Sequence, residues 1–156
     1  MQGRMKQHQL TKVEIDELLA KVEVGRIATL KSNGFPYVVP VHFVYIDEKI
    51  YIHGLSRGEK IDNLLRDNRV GFEIDVMDGI IPHETLVCDT NTAYRSVVLE
   101  GRATLVSVME EKIKVLKAVV QKYTPQLSHL EFPEKMLKAT GVIDITPTAC
   151  TGKYYR

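Results

Sequence analysis

Three β-rich runs, GRIATLK, PYVVPVHFVYI and KIYIHG, follow one another between Gly25 and Gly54 with only SNGF and Asp47-Glu48 separating them. Links this short cannot hold the crossover that parallel neighbours need, so the runs must pair antiparallel. Asn33-Gly34 is the strongest turn signal, because Asn and Gly accept the positive φ of tight hairpins. Residues 26–53 therefore predict a three-stranded meander.

The flanking segments extend the pattern. Thr11 with Glu14 forms a capping box, and Val13, Ile15, Leu18, Leu19 and Val22 recur near helical spacing, so a helix over 12–22 is predicted. EKIDNLLRDN predicts a second helix, burying Ile61, Leu64 and Leu65. Residues 69–77 alternate as a strand that Asp78-Gly79 and Pro82 should end, and 85–89 predicts a short strand. Residues 95–106 read as a long strand with Gly101 as a bulge. Ser107 and Glu110 repeat the capping-box pattern before a helix ending near Tyr123, with Ile113, Leu116, Val119 and Val120 on one side. A helical turn at 134–138 and a final strand at 140–146 complete the chain. Hairpin links without βαβ alternation predict an α+β fold, an antiparallel barrel with helices outside.

The 156 residues leave room for one domain, 1–156, with 1–10 expected as a flexible N-terminal segment. Lys+Arg 21 against Asp+Glu 20 gives +1, which argues against nucleic acid or an anionic membrane as a partner. No apolar run approaches the roughly 20 residues of a membrane span. MQGRMKQHQL lacks an apolar signal core, so a cytoplasmic location is expected. Cys88 and Cys150 announce no disulfide framework and read as small buried apolar residues.

The stretch richest in chemistry is IYIHGLSRGEKIDNLLRDN. It places Ser56, Arg57 and Lys60 where a strand passes through a glycine-containing loop into a helix. Free amides, the positive end of the helix dipole and two cations together form a phosphate cradle. It is not a P-loop, because no GK[ST] follows the glycines. The plain alternative is a solvated connection with surface basic residues. His53, leading into this loop, is a candidate pocket residue; its alternative is a partly buried histidine with a backbone partner. Tyr94, Arg95 and Ser96 enter the long strand as a polar cluster able to contact a ligand or simply to cap the strand end. His83, Glu84 and Cys88 lack paired ligand spacing, so no metal site is expected. Absence of GxSxG and GxGxxG removes the main support for a serine hydrolase or a Rossmann-type site.

GRIATLKSNGFPYVVPVHFVY, KIYIHGLSRGEKIDNLLRDNRVGFEI and TAYRSVVLEGRATLV, in that order, resemble the split-barrel flavin-binding proteins related to pyridoxamine 5′-phosphate oxidase, in particular their nitroimidazole-resistance-like branch. The resemblance covers about residues 12–150. It implies a six-stranded antiparallel split β-barrel with peripheral helices, assembled as a homodimer with two FMN sites at the interface. It further implies that Val39, Pro40 and Val41 present backbone to the flavin ring. Lys60 would bind the phosphate with Ser56 and Arg57 as helpers, and His53 would lie beside the ring as the one acid–base candidate. Tyr94, Arg95 and Ser96 would reach the flavin from the opposite subunit. The implied activity is FMN-dependent reduction of a small electrophilic substrate, nitroaromatics included, with NAD(P)H as a candidate donor. A non-catalytic flavin-binding or redox-sensing module and a haem-binding split barrel are the alternatives. True pyridoxamine-phosphate oxidases carry arginine where this chain has Val39, together with a C-terminal basic signature that TGKYYR lacks, so that specific activity is not expected. Gly71 replaces a cysteine common in the branch.

Overall fold

The meander forms as β1 (Val24–Leu30), β2 (Pro36–Ile46) and β3 (Lys49–Leu55), preceded by helix α1 (Lys12–Lys21). Helix α2 (Glu59–Arg66), strands β4 (Arg69–Ile81) and β5 (Asn91–Leu105), helices α3 (Met109–Tyr123) and α4 (Glu134–Ala139) and strand β6 (Thr140–Tyr155) follow. This architecture comes from a computed structural model that describes residues 7–156. The six strands close an antiparallel barrel in the order β1-β2-β3-β6-β5-β4, with β4 returning to β1.

Alternation along the strands sorts side chains into two cores. Ile27, Phe43, Ile50, Ile52, Phe72, Ile74, Val97, Leu99 and Ile145 fill the barrel, and α1 and α2 add Ile15, Leu18, Leu19, Ile61 and Leu64 to the same cluster. On the outer face, Val44, Tyr51 and Val142 pack under Val115, Leu116 and Leu137 of α3 and α4. Each fully buried aliphatic side chain contributes roughly 1.5–3 kcal/mol. Thr11 and Glu14 form the predicted capping box on α1.

Several boundaries differ from the sequence expectation. Strand β4 continues to Ile81 because a bulge between Met77 and Gly79 absorbs Asp78. Residues 85–89 are not a strand; Val87–Asp89 is a single 3₁₀ turn within the β4–β5 link. The final strand does not stop at residue 146. The shift at Glu100/Gly101 carries β6 past Pro147, whose missing N–H is tolerated at an irregularity, and pairing resumes to Tyr155. Helix α3 starts at Met109 behind Val108 as N-cap, with no side-chain cap, so the Ser107/Glu110 box is not made. Helix α2 buries Asn63 rather than Leu65, which is exposed. Cys88 and Cys150 are both exposed rather than buried, since the first lies in the 3₁₀ turn and the second on the solvent side of β6.

Of the segment 1–10 expected as flexible, residues 1–6 lie outside the described residues. Among the described ones, Tyr154 donates its N–H to the His8 carbonyl at 2.9 Å and Leu10 donates to the Gly152 carbonyl at 3.0 Å. Among the described residues no helix is long and apolar enough to cross a membrane.

Candidate functional site

The ladder between β2 and β3 runs only from the Phe43–Ile52 pair to the Ile46–Lys49 pair. Residues 36–42 of β2 therefore pair with β1 alone, and their other backbone edge is open toward the end of β3. Val39, Pro40 and Val41 stand on that open edge. Val39 and Val41 turn inward onto the barrel core, while Pro40 and Val38 face outward, Val38 being 57% exposed.

Ile50 and Ile52 point into the barrel, so His53 falls on the outer face with Tyr51. Continuing the β2–β3 register beyond Phe43 puts His42 beside His53 on that face. The His42 ring lies 4.7 Å from the Tyr123 ring at a 32° tilt. Tyr123 accepts the Phe43 N–H at 2.9 Å and has the Glu23 and Phe43 carbonyls each at 2.7 Å, which fixes the surface on which His42 rests. Next to it Lys122 donates to the carbonyl of Phe43 at 3.2 Å and sits 4.0 Å from the Phe43 ring centroid; burial pulls its amine down to about 8. Burial, followed by the positive fields of His42 and Lys60, holds the His53 pKa below the ordinary imidazole value. That shift favours the neutral imidazole, and the His53 Nδ1 is buried without a hydrogen-bond partner.

Beyond His53 the chain turns tightly over β6. A Cβ on Gly141 would lie 2.9 Å from the Ser56 Cα, so only glycine admits this approach. Gly58, at φ +118°, then begins α2 without any side-chain cap, leaving first-turn amides without side-chain acceptors. Ser56 and Arg57 are exposed and Lys60 is half-buried. Burial lowers the Lys60 pKa, and no carboxylate among the described residues pairs with Lys60 or Arg57.

The structure therefore brings His53, Lys60 and the loop 56–58 to the open edge of β2. It does not bring Tyr94, Arg95 and Ser96 there within one chain. Those residues pair with Tyr155, Tyr154 and Lys153, at the opposite end of β6 from Val142, the partner of His53. Arg95 is held in a fork by Asp78, at 2.9 and 2.7 Å, and Ser96 is buried with its Oγ unpartnered. His42 and Tyr123 also lie at this edge, although sequence reasoning gave neither a place there. His42 directly follows the VPV segment, a signal that was available; Tyr123 arrives through tertiary packing and had none.

Among the described residues no three His, Cys, Asp or Glu side chains gather to hold a metal. His83 Nδ1 instead accepts the backbone N–H groups of Thr85 and Leu86, at 3.3 and 3.1 Å. Two roomy cavities lie away from this edge: an open groove of about 620 Å³ beside Gly71, Gly101 and Arg102, and one of about 570 Å³ between α1 and Cys150. The second is rimmed by charges already paired with one another, Lys12 with Asp16 and Glu48 and Lys49 with Asp144. Chemistry rather than volume therefore directs attention to the edge of β2.

Solved structures share this architecture. One titled a putative 5-nitroimidazole antibiotic resistance protein, from Bacteroides thetaiotaomicron, is 22% identical, with 94% of this chain and 86% of that one covered at a TM-score of 0.83. The flavocytochrome Anf3 of Azotobacter vinelandii is 22% identical over 100% of this chain and 72% of its own, at 0.88. A FAD and heme binding protein of Mycobacterium smegmatis is 19% identical over 96% and 74%, at 0.86. At these identities the likeness establishes the fold, a split barrel. No curated protein matches this chain by sequence. Residues 11–154 match the profile of the pyridoxamine 5′-phosphate oxidase family, and the chain belongs to that family.

Proposed function

We propose that the protein binds a flavin, FMN, at the open edge of β2 and acts as a flavin-dependent oxidoreductase on a small electrophilic substrate. The observation that carries this reading is Lys60: a half-buried cation with no carboxylate partner, beside Arg57 and an uncapped helix start. Removing an ammonium from water is costly unless an anion meets it, and a phosphate there would make charge-assisted hydrogen bonds of about 1.5–3 kcal/mol each. The flavin-binding and FAD-binding descriptions of structural neighbours support the same class of ligand.

When bound, the flavin supplies the redox chemistry, and the protein's part is to position and tune it. The open β2 edge at Val39–Val41 offers backbone donors and acceptors to a planar ring. His53, neutral and with a free Nδ1, can accept a proton or a hydrogen bond there without adding charge. Val38, 57% exposed, and Val98, 46% exposed, leave apolar surface for a second copy of the chain. A homodimer would bring Tyr94, Arg95 and Ser96 of one copy toward the other's ring.

Adjacent His42 and His53 support a second reading, haem ligation, in line with the haem-containing neighbours. The absorption spectrum of freshly purified protein separates the two: flavin bands are expected, and a Soret band alone would replace the first reading with the second. Anaerobic bleaching of those bands by NADH or NADPH is expected of an enzyme; none with either donor argues for a binding module. His53→Ala should retain most FMN affinity but shift the flavin reduction potential, and an unchanged potential leaves His53 a packing role. Sedimentation should give a dimer, against which a monomer binding FMN tightly would count.

A further inference from the structure

Asn63 is fully buried on a helix whose other buried side chains are Ile61 and Leu64. Asparagine is a poor helix former, and an amide buried without partners is costly. Here both ends of the amide are used. Its Nδ2 donates to the Thr29 Oγ1 at 3.1 Å, and its Oδ1 accepts from Arg66 at 2.9 Å. The same guanidinium donates to the carbonyl of Leu30, and Thr29 is itself buried. The end of β1 and the side of α2 are thus joined by one polar network.

An apolar residue at 63 would serve burial as well. Direction is what a hydrogen-bonded amide adds, because it is satisfied at one orientation only. Helix α2 needs that constraint: it has eight residues, its start lacks a side-chain cap, and Ile61 with Leu64 forms a single ridge about which it can roll. Lys60 lies one turn before Asn63 on nearly the same side of the helix. The roll fixed at Asn63 is therefore the roll that aims the ammonium.

We infer that Asn63 is a positioning residue which, through Thr29 and Arg66, sets the rotation of α2 and holds the Lys60 ammonium in place for the phosphate of its ligand. This rests on the phosphate-binding reading of Lys60 given above. Calorimetry with FMN and with riboflavin on Lys60→Ala, Asn63→Ala and the double variant tests it. Lys60→Ala should weaken FMN by about ten- to a hundredfold, Asn63→Ala by about five- to tenfold, and riboflavin by less than about twofold in both. The double variant should bind FMN no more weakly than Lys60→Ala alone, since both changes act on one contact. Additive losses, or equal losses for FMN and riboflavin, would give Asn63 a structural role and overturn the inference. If Lys60→Ala is selective for FMN and Asn63→Ala has no effect, only the latch is wrong. If Lys60→Ala leaves FMN binding unchanged, the phosphate reading fails and the latch with it. Should Asn63→Ala not fold, Thr29→Val, which keeps the volume and removes the acceptor, enters the same cycle, with a loss of about threefold for FMN alone expected.

Discussion

Cations on the barrel wall and cations at the start of α2 are treated in opposite ways. On the wall, Arg26 meets Glu73 and Asp75 at 3.0 and 2.5 Å, Lys49 meets Asp144 at 2.5 Å, and Arg95 is forked on Asp78. In the first turn of α2, Lys60 is half-buried with no carboxylate paired to it, and burial alone shifts its pKa. Lys122 is also half-buried, yet two carbonyls and an aromatic face satisfy it. The difference separates charge that holds strands together from charge held ready for something outside the chain.

Exchanging these roles by mutation tests the distinction. The largest effect on stability is expected from Asp144→Ala. Its carboxylate is buried between β3 and β6, and removing it strands the Lys49 ammonium; a loss of about 2–3 kcal/mol in urea unfolding follows, reduced from a fully buried pair by the exposure of Lys49. A loss under about 0.5 kcal/mol would show that wall pairs do not hold the barrel. Lys60→Ala should do the reverse, leaving the urea midpoint unchanged or slightly raised while the preference for FMN over riboflavin collapses by about ten- to a hundredfold. A destabilised Lys60→Ala with its preference intact would break the comparison.

Titration supplies a smaller signal. His53 has a lower pKa folded than unfolded, so below the ordinary imidazole value, about 6.5, the unfolded chain takes up its proton first. The stability that His53 contributes is complete above that pH and is lost as pH falls toward the folded-state value. His53→Asn should flatten this acid limb of the stability profile, and an unchanged slope would mean that the ring is no less solvated in the folded chain. The smallest effect belongs to Asp78→Ala, where both partners are more than a third exposed: the thermal unfolding midpoint should stay essentially where it is. A clear drop would make the Arg95 fork structural, and Arg95 could not then be spared for a ligand.

What could be read from the chain was local. The capping box of α1 and the three closely spaced strands depend on neighbours within a few residues, and they formed as the spacing predicted. The hairpin turns were legible only in place: positive φ falls on Gly34, as Asn33-Gly34 suggested, but also on Asp47 and Glu48, residues that rarely adopt it. Pro147 reads as a strand end and is instead passed at a bulge, because β5 continues alongside. The buried face expected of α2, Ile61, Leu64 and Leu65, omits Asn63, whose burial depends on Thr29, far along the chain, and Arg66, across the helix turn, to satisfy it. In the site, HGLSRGEK was legible because loop, cations and helix start are contiguous. The His42–Tyr123 contact was not, since it joins β2 to the end of a helix far along the chain.

The length of β6 bears on how the molecule is made. Strands β3 and β5 each hydrogen-bond to β6 and not to each other, so the wall stays open until that last strand arrives. Its contacts with β3 close one of the longest loops in the fold, which is entropically slow. During synthesis, strands β1 to β5 emerge first and expose two unsatisfied edges, at β3 and β5, until residues 140–155 are available. Closure is then a late step, and it is the same step that seats Val142 against His53 and carries Gly141 under Ser56. The candidate site cannot exist in a partly built barrel, so a ligand at that site would be a signal that β6 is in place.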